Sequence, residues 1–260
     1  MAMHRLSRSD DVARCLEMST SVMSLELPQS LARSGVMPLY AVVGEEDYLR
    51  DSSVAALRAA AMGAGAETGF NYDIFHGDDS SIADVLACAA EIPVFAERRV
   101  VVYKSVEKLP AREGEKLLSY LASPNETTTF IVVAAKLDGR LKWTQALTKR
   151  AVTVNCASLR EAQLSAWIRQ EAATVGVRLQ DDAIQLLKEV GGESLYAVKR
   201  ELEKLAAYVP SDRPVQSSDV EALRGTEPGA SVFDLMNAIG AHDHGRAFRI
   251  LARNVENGEA

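Results

Sequence analysis

Cysteine is scarce in this 260-residue chain. Its three cysteines, Cys15, Cys88 and Cys156, are isolated and odd in number, and no CxxC pair occurs. A disulfide framework and a cysteine-ligated zinc site are therefore both unsupported, and plain thiols in a reducing cytoplasm are the expectation. Histidine is scarce as well, with His4, His76, His242 and His244 and no HExxH. His242-Asp243-His244 falls in a loop between helices with no third ligand at useful spacing, so no metal and no other cofactor is expected. No apolar run is long enough to cross a bilayer. The opening MAMHRLSRSDDVARCLEM lacks the apolar core of a secretory signal, which points to the cytoplasm and away from a membrane partner. Basic charge is in deficit, with 29 Lys and Arg against 36 Asp and Glu, a formal net charge of -7. That excludes a free-standing nucleic-acid binder and leaves room for DNA contact only inside a larger assembly. No GxSxG is present, and no catalytic residue is assigned.

What is present is a composition of 47% hydrophobic and 25% charged residues, ordinary for a folded chain of two or three domains. The first 22 residues are polar and weakly patterned and read as a poorly ordered extension. From Pro38 strands and helices alternate. LYAVV (39–43), YDIFHG (72–77), RVVVY (99–103), TTFIVVAA (128–135) and VTVNC (152–156) are strand-like. Between them, helical spacing runs over 46–62, 82–90, 112–121 and about 140–149. Five strands alternating with helices predict an α/β domain with a mainly parallel sheet covered on both faces.

After Cys156 the strand signal stops. Leu164, Trp167, Ile168 and Ala172 mark one helix, and DDAIQLLKEVGG marks a second that Gly191-Gly192 ends. A third carries Leu195, Val198, Leu202, Leu205 and Tyr208 on one stripe. A Pro-containing linker at 209–216 and a short helix in SSDVEALRG follow. ASVFDLMNAIGAHDHGRAFRILARNVENG then opens a helical pair that looks incomplete by itself. The expected boundaries are 1–22 (extension), 23–156 (α/β), 157–224 (three-helix domain) and 225–260 (start of a further helical domain).

A parallel α/β sheet followed by helices invites a test for a P-loop, G-x-x-x-x-G-K-[ST], after the first strand. Gly44 takes the first glycine position, but Leu49 stands at the second, Arg50 at the lysine and Asp51 at the hydroxyl residue. Glu45, Glu46 and Asp47 add three carboxylates where a phosphate would sit. They are better suited to capping the helix that starts there. Asp138, between Lys136 and Arg140, reads as a turn aspartate rather than half of a magnesium site.

One stretch stands apart. EIPVFAERR (91–99) places an apolar Val94-Phe95 pair between a helix and a strand. By itself the pair is ambiguous between core and an exposed contact. Pro93 breaks the helix and restricts the backbone, which would preorganise an exposed pair. Glu97, Arg98 and Arg99 would form a polar rim around it. The basic residues Lys136, Arg140, Lys142, Lys149 and Arg150 are either a solvated helix face or a surface turned toward DNA in an assembly.

Together, PLYAVVGEEDYL, IPVFAERRVVVY, FIVVAAKLDGR followed by Lys142, AWIRQEA and GGESLYAVKRELEKLAAY resemble the delta-subunit family of the bacterial DNA polymerase III clamp loader, from about Met23 onward. The resemblance implies an AAA+-like α/β domain without a functional P-loop, a three-helix lid domain and a helical collar domain, here truncated. It implies a non-catalytic subunit of a DNA-directed DNA polymerase holoenzyme, a nucleotidyltransferase complex. That subunit would bind the sliding clamp (beta) and hold its ring open for loading onto primed DNA. Its companions would be the ATP-binding tau/gamma subunits and delta-prime. Family members contact the clamp through a Leu-Phe-like pair, which puts Val94 and Phe95, preceded by Pro93, at the contact, with the shorter Val in place of Leu. Two other readings stay open: a nucleotide-binding AAA+ ATPase, and a helical adaptor unrelated to replication.

Overall fold

The computed structural model describes residues 21–63, 69–192, 194–224, 238–240 and 243–256. The chain divides into two compact units, residues 1–158 and 159–260.

The first unit is built on a six-stranded, wholly parallel sheet. In chain order the strands are β1 (Ser21–Met23), β2 (Leu39–Val43), β3 (Tyr72–His76), β4 (Arg99–Lys104), β5 (Thr128–Ala134) and β6 (Val152–Asn155). Across the sheet they run β1-β6-β2-β5-β4-β3. The central strands are apolar runs without alternation because both faces are covered. All seven residues of β5 are buried, whereas β3, at the edge, is mostly half-exposed.

The sequence pattern predicts five strands, and the sixth is β1. Ser21 and Val22, read above as part of the extension, pair with Thr153 and Val154 of β6. Three residues are too few to show a period, and it is the open edge of β6 that recruits them. Residues 1–20 lie outside the described part of the chain.

Helices α1 (Leu27–Ser34), α2 (Asp47–Met62), α3 (Ile82–Ala90), α4 (Ala111–Gly114), α5 (Leu117–Ala122) and α6 (Lys142–Arg150) complete the unit. The single helix expected over 112–121 is two short ones, α4 and α5. On one face Ile82, Val85, Leu117, Phe130, Trp143 and Leu147 share a core, with Tyr120 edge-on to Phe130 at 5.2 Å. Leu49, Val54 and Leu57 of α2 are buried, and α2 packs against β2, β4 and β5.

The second unit contains α7 (Glu161–Thr174), α8 (Asp181–Gly191), α9 (Leu195–Tyr208), α10 (Ser217–Arg224) and α11 (His244–Glu256). Trp167 and Ile168 of α7, Ile184 and Leu187 of α8, and Leu195, Val198, Leu202 and Leu205 of α9 are buried together with Val220 of α10. Gly192 leaves α8 in the left-handed region at φ +56°, where glycine carries no Cβ penalty. Tyr208 departs from the expected stripe. It is exposed, and the next residue, Val209, turns inward instead. The segment 209–216 is also more than a linker. Val215 forms a parallel bridge with Leu179, donating its N–H to Arg178 at 2.8 Å and accepting from Gln180 at 2.9 Å. Most of the residues of the expected further helical domain, among them His242, lie outside the described part. The described helix α11 carries exposed Phe248 and Leu251.

One polar knot closes this segment onto α10. Asp219 accepts two 2.7 Å bonds from the Arg213 guanidinium and one of 2.9 Å from the Gln216 N–H. The guanidinium first, and the backbone donor second, hold its carboxyl down at about 2. The depressed folded value means this stabilisation is complete above the ordinary carboxylate range and is lost as pH falls through about 2. Asp219→Asn should therefore melt below the parent at pH 6, and the gap in melting temperature should close as pH falls from about 4 to 2, followed by circular dichroism.

Candidate protein interface

Two regions on the α/β unit warrant a chemical reading: the turn after β2 and the turn before β4.

After β2, Gly44 takes φ +155° and lies so close to β6 that an added Cβ would stand 2.1 Å from the Cys156 carbonyl carbon and oxygen. The Gly44 N–H donates to Ala134 at 3.2 Å, the Glu46 N–H to Cys156 at 3.0 Å, and the Cys156 N–H to Val43 at 2.7 Å. The turn is thus laced to β5 and β6. The Arg50 guanidinium donates to the Gly44 carbonyl. Leu49 is buried in the core, and Asp51 is ion-paired to Lys104 at 2.8 Å. The carboxylates serve the helix start: the Tyr48 N–H donates to Glu46 at 3.3 Å and to Asp47 at 2.8 Å. Burial, then the adjacent Asp47 carboxyl, raises the pKa of Glu46. Glu46, Asp47, Arg50 and Asp51 thus all have partners within the chain, while Glu45 is exposed.

Asp138 sits in a turn of its own. It accepts from the Arg140 N–H at 3.0 Å and from the Arg140 guanidinium at 2.7 Å, and that side chain holds it at about 2. Of the basic residues expected either to be solvated or to face DNA, two are engaged locally. Arg140 bonds Asp138, and Arg150 donates to the carbonyls of Leu121 and Ala122 at the end of α5. Lys136, Lys142 and Lys149 are exposed.

The turn before β4 is of another kind. Helix α3 stops at Ala90, and residues 91–98 cross to β4 as an irregular tip. Phe95 stands wholly in solvent, at 105% of the reference exposure. Ile92 is 78% and Val94 44% exposed, while Pro93 is half-buried at the base. Phe95 also occupies the left-handed region at φ +54°. For an aromatic residue that conformation costs about 1–3 kcal/mol and persists only where the surroundings dictate it.

Those surroundings come from residues that pattern reading missed. Asn71, just before β3, is only 3% exposed. Its side-chain oxygen accepts from the Val94 N–H and its amide nitrogen donates to the Val94 carbonyl, each at 2.7 Å. Phe70, the residue before it, is exposed. Arg99 is not part of a rim, as the charge run suggests, but is buried beneath the tip. Its guanidinium reaches Asp73 of β3 at 2.8 Å and Glu91 at 3.0 Å. The Cys88 thiol of α3 donates to the same Asp73 carboxylate at 3.2 Å, and burial pushes that thiol up to about 11. Of the rim residues, Glu97 is exposed and Arg98 half-buried. No local signal distinguishes Arg98 from Arg99, nor marks Asn71 as a partner of a residue 23 positions away.

An exposed apolar centre on a braced turn suits a protein pocket better than a small polar ligand. The chain is similar to known proteins over much of its length. Residues 40–157 match the family model described as DNA polymerase III, delta subunit. The DNA polymerase III subunit delta of Bacillus subtilis is 26% identical over 227 residues, 84% of this chain and 65% of that protein. The chain thus spans less than two thirds of the length of that curated relative. Among solved structures, the Bacillus subtilis DNA clamp loader delta protein superposes with a TM-score of 0.72 at 24% identity, over 92% of this chain and 73% of that one. The Thermotoga maritima RuvB Holliday junction branch migration motor superposes with a TM-score of 0.51 at 16% identity, over 90% and 76%. The AAA+-like fold class expected from the sequence is the one observed.

Arg99→Ala would leave Asp73 and Glu91 facing each other without their shared cation. Urea unfolding should show a loss of about 2–3 kcal/mol, well above that of an exposed ion pair.

Proposed function

We propose, from the match of residues 40–157 to the DNA polymerase III delta-subunit family model, that this chain is a non-catalytic clamp-loader subunit which binds the ring-shaped sliding clamp and holds one of its interfaces open during replication. The observation that carries the reading is the exposure of Phe95 on a braced backbone. Val94 and Ile92 flank it, with Pro93 at the base, and Phe95 is the group that would enter a pocket of the clamp. The companions would be ATP-binding subunits of the tau/gamma type and delta-prime, with DNA met only inside the assembled complex in the cytoplasm.

The energetics set what the tip must do. Burying Phe95 and the exposed part of Val94 contributes roughly 3–5 kcal/mol. Alone this corresponds to millimolar to hundreds-of-micromolar binding, so a wider surface has to join in. Ile92 and Glu97 are placed to supply part of it. Affinity opens a ring only through difference, because a ligand shifts an equilibrium by its preference for one state. The tip must therefore fit a clamp pocket better in the open ring than in the closed one.

In this reading the degenerate P-loop positions Gly44, Leu49, Arg50 and Asp51 hold the turn together and do not receive a nucleotide. Titration with a fluorescent ATP analogue should accordingly give no saturable signal, whereas an ATPase would give one.

Val94→Ala combined with Phe95→Ala should leave the melting temperature nearly unchanged, since both side chains already face water. The same pair of changes should weaken binding to purified clamp at least tenfold, measured by surface binding. An unaltered affinity in the double variant would remove the assignment.

A further inference from the structure

The proposed clamp contact leaves one physical question open. A phenylalanine in water gains by folding back onto its own protein, yet Phe95 does not. The tip contributes little to hold itself: it is eight residues long, with no regular structure between α3 and β4. What fixes it arrives from outside: Arg99 holds its first residue, Glu91, and Asn71 holds Val94, beside the exposed ring.

Asn71 is bound on both of its own sides. Its backbone carbonyl accepts from the Val100 N–H at 2.8 Å, extending the β3–β4 ladder by one step. Its carboxamide then spans both polar groups of Val94 at 2.7 Å. The amide acts as a single rung of a ladder, with one acceptor facing an N–H and one donor facing a C=O. Among side chains this demands a carboxamide, since only that group carries a donor and an acceptor side by side. The length of Asn suits the site, and burial keeps water from competing for the bonds. With Val94 pinned on one side and Val100 paired on the other, the chain between them must reverse within a few residues. The left-handed Phe95 is where it does so.

We propose that Asn71 is the positioning residue of the tip. Its carboxamide presents Phe95 in a preorganised, outward state, so that binding does not have to supply the cost of ordering the turn. The assignment rests on the reading of the tip as the clamp contact, but half of it is testable without any partner.

Asn71→Asp is the sharpest variant. It has the same shape and keeps an acceptor for the Val94 N–H, but it sets a carboxylate oxygen against the Val94 carbonyl. Asn71→Ala removes both bonds and serves as the second variant, with melting curves confirming that each is folded. Two measurements follow. In brief chymotrypsin digestion of the full chain, cleavage after Phe95 should accelerate at least fivefold in both variants, while cleavage after the exposed Tyr208 of the second unit serves as the internal reference. In surface binding to purified clamp, both variants should lose at least fivefold in affinity. In a Phe95→Ala background, Asn71→Ala should cost nothing more, because a residue that acts through Phe95 has no role once the ring is gone. Unchanged cleavage after Phe95 overturns the proposal. So does unchanged affinity of both variants in a chain whose binding Phe95→Ala does abolish. If the parent chain binds no clamp while cleavage still accelerates, the pin stands and the clamp assignment fails.

Discussion

A large apolar side chain stays in water only if the backbone beneath it is not free to turn it inward. That constraint organises this molecule. The ring of Phe95 is held out by a left-handed turn, the turn by the two bonds of Asn71, and Asn71 by its main-chain pairing to β4. Below them, Arg99 gathers Asp73, Glu91 and Cys88, joining β3, β4 and the end of α3 into one base. The display of one ring thus draws on two strands and a helix, and the parallel sheet makes it possible by bringing the starts of β3 and β4 side by side.

The turn after β2 shows the opposite economy. Its glycine touches a neighbouring strand rather than leaving a cradle. Its arginine bonds the glycine carbonyl, and its carboxylates cap the helix they precede. The carboxylates would repel a phosphate, and the glycine and arginine that could have met one are engaged inside the chain. The turn instead fastens three strands together.

The central strands and the helices were legible in the sequence because burial on both faces writes itself as uninterrupted apolar runs, and burial on one face as helical spacing. What was not legible depends on contacts distant along the chain. Strand β1 has too few residues to show a pattern and exists because β6 has a free edge. Tyr208 continues the α9 stripe in sequence, but the chain leaves the helix there and Val209 takes the inward place. At the tip, the residue types were legible and their exposure was not. Exposure is decided by Asn71, which lies 23 residues from the residue it holds. Likewise Arg99 reads as a rim charge until Asp73 and Glu91 are seen to converge on it.

In a parallel sheet every strand starts at one end and finishes at the other. The Phe95 tip precedes β4 and Asn71 precedes β3, whereas Gly44 follows β2, so the two turns lie at opposite ends of the strands. Five residues of strand separate them by roughly 16 Å. Beyond about 7–10 Å, with no shared partners, substitutions act additively. The two ends are therefore free to drift apart in evolution. One can lose or rebuild the chemistry of its turn without disturbing the shape the other offers to a partner, and the sheet between them serves as an insulator as much as a scaffold.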